Sequence, residues 1–141
     1  MIVLDTNVLS ELMRPAPAPA VIAWLDAASG GELIATTAIT VAEILYGIER
    51  LPDGRRKQQL GEIAAAMFEE DFADAILAFD AQAAVFYAER VAASEAAGHP
   101  CAMADAQIAA LCAQHEATLA TANTKDFRSL GVALINPWED G

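Results

Sequence analysis

The feature that most constrains this chain is its opening. Met1-Ile2-Val3-Leu4 is an unbroken apolar run that stops at a carboxylate, Asp5. A short run without polar alternation fits a strand buried on both faces, as in a parallel sheet. Residues 33–36, 75–79, 118–121 and 132–135 repeat the pattern. Between these runs the apolar residues take helical spacing. A short helix is expected over 8–13, a break at the Pro-Ala stretch 15–20, then Val21, Ile22, Leu25 and Ala28 on one stripe up to Gly30-Gly31. Further helices are expected over 40–51 (with Val41, Ile44, Leu45 and Ile48 aligned), 55–70 after the turn Pro52-Asp53-Gly54, 80–97 before Gly98, and 103–115.

Short buried strands alternating with helices imply right-handed crossovers and helices on both faces of the sheet. The expected fold is a three-layer α/β/α domain with a central parallel sheet of four or five strands, occupying residues 1–141 as one domain. The length of 141 residues and a hydrophobic content of 55% suit a single core of that size. No apolar stretch approaches the roughly 20 residues of a membrane span. The N-terminus has no basic leader and is not expected to be a signal peptide. Two cysteines, Cys101 and Cys112, are too few for a disulfide framework, so a cytoplasmic location is expected.

In open α/β sheets, ligands bind beyond the carboxyl ends of the strands. Asp5 ends the first strand, Glu43 sits early in the helix after the second, and Asp126 lies in the turn after the fourth. Asp105 begins the helix that leads into the fourth. Each has an alternative structural use. Asp5 suits a helix N-cap, Glu43 follows Thr40 at capping-box spacing, and Asp126 beside Asn123 suits an Asx turn. Asp105 falls on the stripe of Ala104, Ile108 and Cys112, where a carboxylate needs a partner that its own helix does not supply. Four clustered carboxylates would repel and protonate without a cation. One or two Mg²⁺ would make them an all-oxygen site capable of phosphodiester cleavage by an activated water.

In order along the chain stand Ile2-Val-Leu-Asp5-Thr6-Asn7, Thr40-Val-Ala-Glu43-Ile-Leu-Tyr-Gly47-Ile, Asp105-Ala-Gln-Ile108-Ala-Ala and Thr121-Ala-Asn123-Thr-Lys-Asp126-Phe127. Together they resemble PIN-domain toxins of the VapC type. The ending Gly131-Val-Ala-Leu-Ile-Asn136-Pro137-Trp138 is similar to the FitB-like branch. The resemblance implies a type II toxin–antitoxin ribonuclease in which Asp5, Glu43, Asp105 and Asp126 surround Mg²⁺ or Mn²⁺. It implies that Thr6 and Asn7 shape the loop behind Asp5, and that Thr121 and Asn123 orient the quartet by hydrogen bonds. It further implies RNA as substrate, a homodimer, and a hetero-oligomer with a small VapB/FitA-like antitoxin whose tail enters the groove. One departure is visible: where the family often has an arginine between the threonine and asparagine of the last motif, this chain has Ala122. Lys125, Arg128, Arg14 and the run Arg55-Arg56-Lys57 are the other cations to consider for phosphate.

The net charge of −12 (8 Lys and Arg against 20 Asp and Glu) is unusual for a nucleic-acid binder. It suits an acidic site bridged by cations and a basic protein partner. Two rival functions follow from the same residues. A phosphorylated receiver domain would use Asp80 after the third strand. A catalytically inactive PIN-fold binding module would keep the fold and lose the chemistry. His99, Cys101, Cys112 and His115 have zinc-ligand types, but about 16 Å of helix between the cysteines argues against a shared ion. Phe86-Tyr87 is expected to pack in the core rather than form a dimer surface.

Overall fold

The opening apolar run forms β1 (Ile2–Leu4), in a computed structural model that describes residues 1–139. Asp5 ends it and caps α1 (Thr6–Leu12). Pro19, at the first position of α2 (Pro19–Ser29), restarts the helix after the Pro-Ala break, since its fixed φ suits that position. Then follow β2 (Ile34–Thr37), α3 (Ala38–Glu49) and α4 (Arg55–Ala66), which runs on through a single π turn (Met67–Asp71). β3 (Ile76–Leu77), α5 (Ala81–Ala96), α6 (Met103–Gln114) and β4 (Thr118–Ala120) come next. A one-turn α7 (Thr124–Phe127), a 3-10 turn (Arg128–Leu130) and β5 (Ala133–Ile135) complete the described chain.

All strand pairs are parallel and the order is β3-β2-β1-β4-β5. The expected parallel sheet therefore has five strands. Side chains alternate across it, so each strand feeds both faces. Leu4, Ala120 and Ile135 join the core made with Val8, Trp24, Ile44 and Phe68 from α1 to α4 and the π turn. Val3, Leu119 and Leu134 join the opposite core, made with Ile108, Cys112, Phe127 and Leu130. Three layers result. Val3, Leu4 and Leu119 are wholly buried, which is why their runs carry no polar alternation.

Several boundaries differ from expectation for identifiable reasons. α3 begins at Ala38, earlier than residue 40, because Thr37 is its cap and accepts from the Thr40 N–H at 3.1 Å. The expected helix over 55–70 changes to π geometry at Met67. That extra residue in the turn leaves Met67, Phe68 and Phe72 all facing the core. The segment after β4 is not a plain turn but the short helix α7. Tyr87 packs against the second core, as expected, and meets Phe79 edge-on with centroids 6.1 Å apart, whereas Phe86, expected there with it, joins neither core. Both cysteines are free, and no helix among the described residues is long and apolar enough to cross a membrane.

Candidate active site

From β1 the chain winds outward to β2 and β3, then crosses back to place β4 and β5 on the other side. Successive crossovers thus leave β1 and β4 in opposite directions, opening a crevice at their carboxyl ends. Asp5 ends β1 there, and residues 121–126 follow β4. The sheet topology alone brings together two segments more than a hundred residues apart.

Asp5 is buried, with 4% of its surface exposed. Its Oδ1 accepts from the Thr6 N–H at 2.8 Å; its Oδ2 accepts from the Thr121 hydroxyl at 2.8 Å and Asn7 Nδ2 at 3.1 Å. Burial raises its pKa above the usual value, and the hydrogen bonds from Thr121 and Thr6 oppose that. Glu43 adds a smaller upward push and Asn7 a smaller downward one. Asp5 is therefore both the cap of α1 and a wall of the crevice.

Thr6 and Asn7 form the first turn of α1 rather than a loop, and tie it to neighbouring segments through specific bonds. The Thr6 hydroxyl donates to Glu43 Oε1 at 2.7 Å and lies 3.2 Å from the Thr40 hydroxyl. Asn7 Nδ2 reaches Thr121 Oγ1 at 3.2 Å, while Asn7 Oδ1 accepts from the Ala122 N–H at 3.0 Å. Asn123 contributes its backbone N–H to Thr121 Oγ1 at 3.0 Å. Glu43 does not form a capping box, because Thr37 occupies the cap; it stands in the second turn of α3, solvent-exposed, with its carboxylate steered by Thr6. Asp126 lies within α7, exposed, and its side chain forms no Asx turn.

Asp105 is the third residue of α6 and half-buried above Ala106, Ile108 and Ala109, which are sealed in the core. Among the described residues no hydrogen-bond donor or cation reaches its carboxylate. Burial, followed by the charges of Asp5, Asp126 and Glu43, pushes its pKa up to about 6. The four acids therefore face one electrostatic field. Among the described residues, no three His, Cys, Asp or Glu side chains are grouped tightly enough to enclose an ion unaided. Mg²⁺ does not require such a cage, since it commonly takes one or two carboxylates and keeps several waters. An unpartnered acid beside an anchored one, with only oxygen donors, fits that ion. Asp5 and Asp105 could hold it, with Glu43 and Asp126 in support.

Sequence reasoning missed Thr36 and gave Thr40 only a capping role. Thr36 is buried and donates to the Leu4 carbonyl at 2.9 Å, and Thr40 supports Thr6. The cluster Thr36-Thr37-Thr40, polar at the end of an apolar strand, was the available signal. The other constellations have plain structural roles. Cys112 is sealed in the core, with burial and the nearby Asp5 charge pushing its thiol up to about 12. Asp80 caps α5 by accepting from the Ala83 N–H at 2.9 Å, a bond that lowers its pKa.

Two depressions flank the acids. A polar cleft of about 770 Å³ runs past Asp105 and Asp126 to His99, Lys125 and Arg128. A more apolar groove of about 460 Å³ lies between α1, α3 and α4, with Thr6 and Glu43 at one end and Ile44, Ile48, Leu60 and Ile63 along it.

Residues 2–132 match the PIN domain. The chain is 42% identical over 140 residues to toxin FitB of Neisseria gonorrhoeae, covering 99% of this chain and all of that one. It is 40% identical over 144 residues to VapC ribonuclease Y4jK of Sinorhizobium fredii, covering 99% of each. Its fold superimposes on the crystal structure of FitAcB from Neisseria gonorrhoeae with a TM-score of 0.89 at 40% identity, covering 99% of both chains. The family match spans nearly the whole chain and the relatives match it end to end: this protein belongs to the PIN-domain family.

Proposed function

We propose that this protein is a Mg²⁺- or Mn²⁺-dependent endoribonuclease, the toxin of a toxin–antitoxin pair. The observation that carries this reading is Asp105: a half-buried carboxylate without a partner, faced by three further acids at the switch point of a parallel sheet. Such a group is costly unless a cation occupies the crevice. The relatives named as a toxin and as a VapC ribonuclease support the same activity.

Mg²⁺ held by Asp5 and Asp105, with Glu43 and Asp126 in support, would supply positive charge for activating a water and for the leaving oxygen of an RNA phosphodiester. The chain's own contribution is preorganisation. Asp5 Oδ2 accepts from both Thr121 and Asn7, whereas Oδ1, among the described residues, accepts from the Thr6 N–H alone and keeps capacity for a cation. Asp105 offers a carboxylate with no competing donor, at the positive end of α6. Thr6 fixes Glu43 from beneath. Asp126 is exposed, where it meets substrate or water first.

The partner in this reading is a small VapB/FitA-like antitoxin, in a hetero-oligomer built on a toxin homodimer in the cytoplasm. The groove of Ile44, Ile48, Leu60 and Ile63 suits an apolar segment of such a partner, and the acidic crevice suits its basic tail. The exposed apolar side chains Tyr46 and Val85 suit subunit contacts.

The catalytically inactive module has one observation on its side, the absence of a closed three-acid cluster among the described residues. RNA incubated with purified, antitoxin-free protein decides between them. Cleavage with Mg²⁺ or Mn²⁺ that stops with EDTA and is absent in Asp5→Ala supports the ribonuclease. Intact RNA with every metal, from folded protein, overturns it.

A further inference from the structure

The chain has eight cationic side chains, and the fold commits half of them elsewhere. Arg14 pairs with Glu11 at 3.3 Å. Lys57 is held by Asp53 and by the carbonyl and carboxylate of Glu49. Arg50 lies over the Tyr46 ring, 5.2 Å from its centroid. Arg90 is spent on the carbonyls of Leu130 and Gly131. Arg55 and Arg56 stand at the start of α4, where Arg56 lines the apolar groove.

Lys125 and Arg128 remain. Both are exposed, and among the described residues neither has an ion-pair partner. Both line the polar cleft that contains Asp105 and Asp126. Lys125 precedes Asp126 in α7, and Arg128 opens the following turn, so the helix that presents the acid also presents the cations. The position between Thr121 and Asn123, which could have carried a cation, is Ala122.

We propose that Lys125 and Arg128 bind a backbone phosphate of the RNA strand adjacent to the one that is cut. The strand then enters the acidic site along the cleft between α7 and the loop from Gly98 to Ala102. The inference rests on the ribonuclease reading and adds the direction of approach. In a chain of net charge −12, a strand must find positive charge close to the acids or be repelled before it reaches them. Arg56, also without an ion-pair partner among the described residues, faces the apolar groove, and Arg55 faces neither depression; the cleft past Asp105 and Asp126 is where two such cations stand together beside the acids. The two residues touch the strand away from the bond that is cut, so their loss acts on binding more than on the chemical step.

The test uses a fluorogenic single-stranded RNA 12-mer. Cleavage with Mn²⁺ gives kcat and KM, and anisotropy in Ca²⁺ gives binding, both from 50 to 300 mM salt. The double variant Lys125→Gln/Arg128→Gln is compared with wild type and with Arg55→Gln, which lies outside both depressions. KM and Kd should rise roughly tenfold in the double variant with kcat changed less than about threefold. The slope of log Kd against log salt should fall by about 0.7 for each phosphate that is no longer neutralised. Arg55→Gln should leave both values as in wild type. A double variant with wild-type KM and salt slope overturns the inference while the ribonuclease reading stands. Wild-type protein that neither binds nor cleaves the RNA overturns both.

Discussion

The Thr121 hydroxyl donates to Oδ2 of Asp5 at 2.8 Å, joining the ends of β4 and β1 across 116 residues of sequence. Thr121 Oγ1 in turn accepts from Asn7 Nδ2 and from the Asn123 N–H. One hydroxyl thus closes the switch point of the sheet, orients its central acid, and tethers the segment that carries Asp126. This bond is a point where fold and site depend on the same atoms.

Thr121→Val keeps the shape and removes the hydroxyl. It leaves a buried carboxylate short of a donor and strands the Asn123 N–H, at a cost of about 1–3 kcal/mol. Cleavage should fall about 10–100-fold, as for loss of a group that orients a metal ligand. Thr121→Ser should recover most of both. Denaturant titration and initial rates check this, and a valine variant with wild-type rates would remove Thr121 from the machinery.

Asp105 makes metal-free protein sensitive to pH. Its folded pKa of about 6 lies above the ordinary 3.8, so the folded state holds the proton more tightly than the unfolded state. Its contribution favours folding at low pH and is lost progressively as pH rises from about 4 to 6. In EDTA, Tm should therefore fall over that range. Asp105→Asn should flatten that part of the profile and raise Tm at pH 7, while abolishing metal-dependent cleavage. Parallel melting profiles for the two proteins would show that Asp105 is not under this strain.

The same site predicts a metal response. Mg²⁺ or Mn²⁺ at millimolar concentration should raise the Tm of wild type at pH 7, because binding the folded state alone stabilises it. The rise should be smaller in Asp105→Asn and Asp5→Asn and near wild type in Asp80→Asn, whose carboxylate caps α5. Equal shifts in all four proteins would place the ion somewhere else.

How far the sequence alone revealed this depends on segment length. β1 and Asp5 were legible because an apolar run ending in a carboxylate has few other meanings. Asp105 was legible because it breaks an apolar stripe, although it proves half-buried rather than sunk in the core. α7 was not legible, since four residues are barely one helical turn and show no period. Thr37 and Thr40 both suit a cap, and only the path out of β2 selects Thr37. The change to π geometry at Met67 adds a residue to one turn, which a pattern of 3.6 cannot register. The hydroxyl bonds of Thr6 to Glu43 and of Thr36 to Leu4 join separate elements, so no local spacing contains them.

Gly131 offers the last test, at a distance from the chemistry. Its φ of +69° is left-handed, and a Cβ there would stand 2.7 Å from Arg90 Nη1. Arg90 cannot easily retreat, because Nη1 bonds the Leu130 and Gly131 carbonyls at 3.2 and 3.3 Å. Gly131→Ala therefore combines left-handed strain of about 1–2 kcal/mol with weakened hydrogen bonds from a charged group. A total loss of about 2–3 kcal/mol is expected from chemical denaturation. Because Gly131 ends the turn that carries Arg128, KM for RNA should rise alongside, while metal binding at Asp5 and Asp105 stays intact. A variant as stable as wild type would mean that Arg90 moves freely and does not fix this corner.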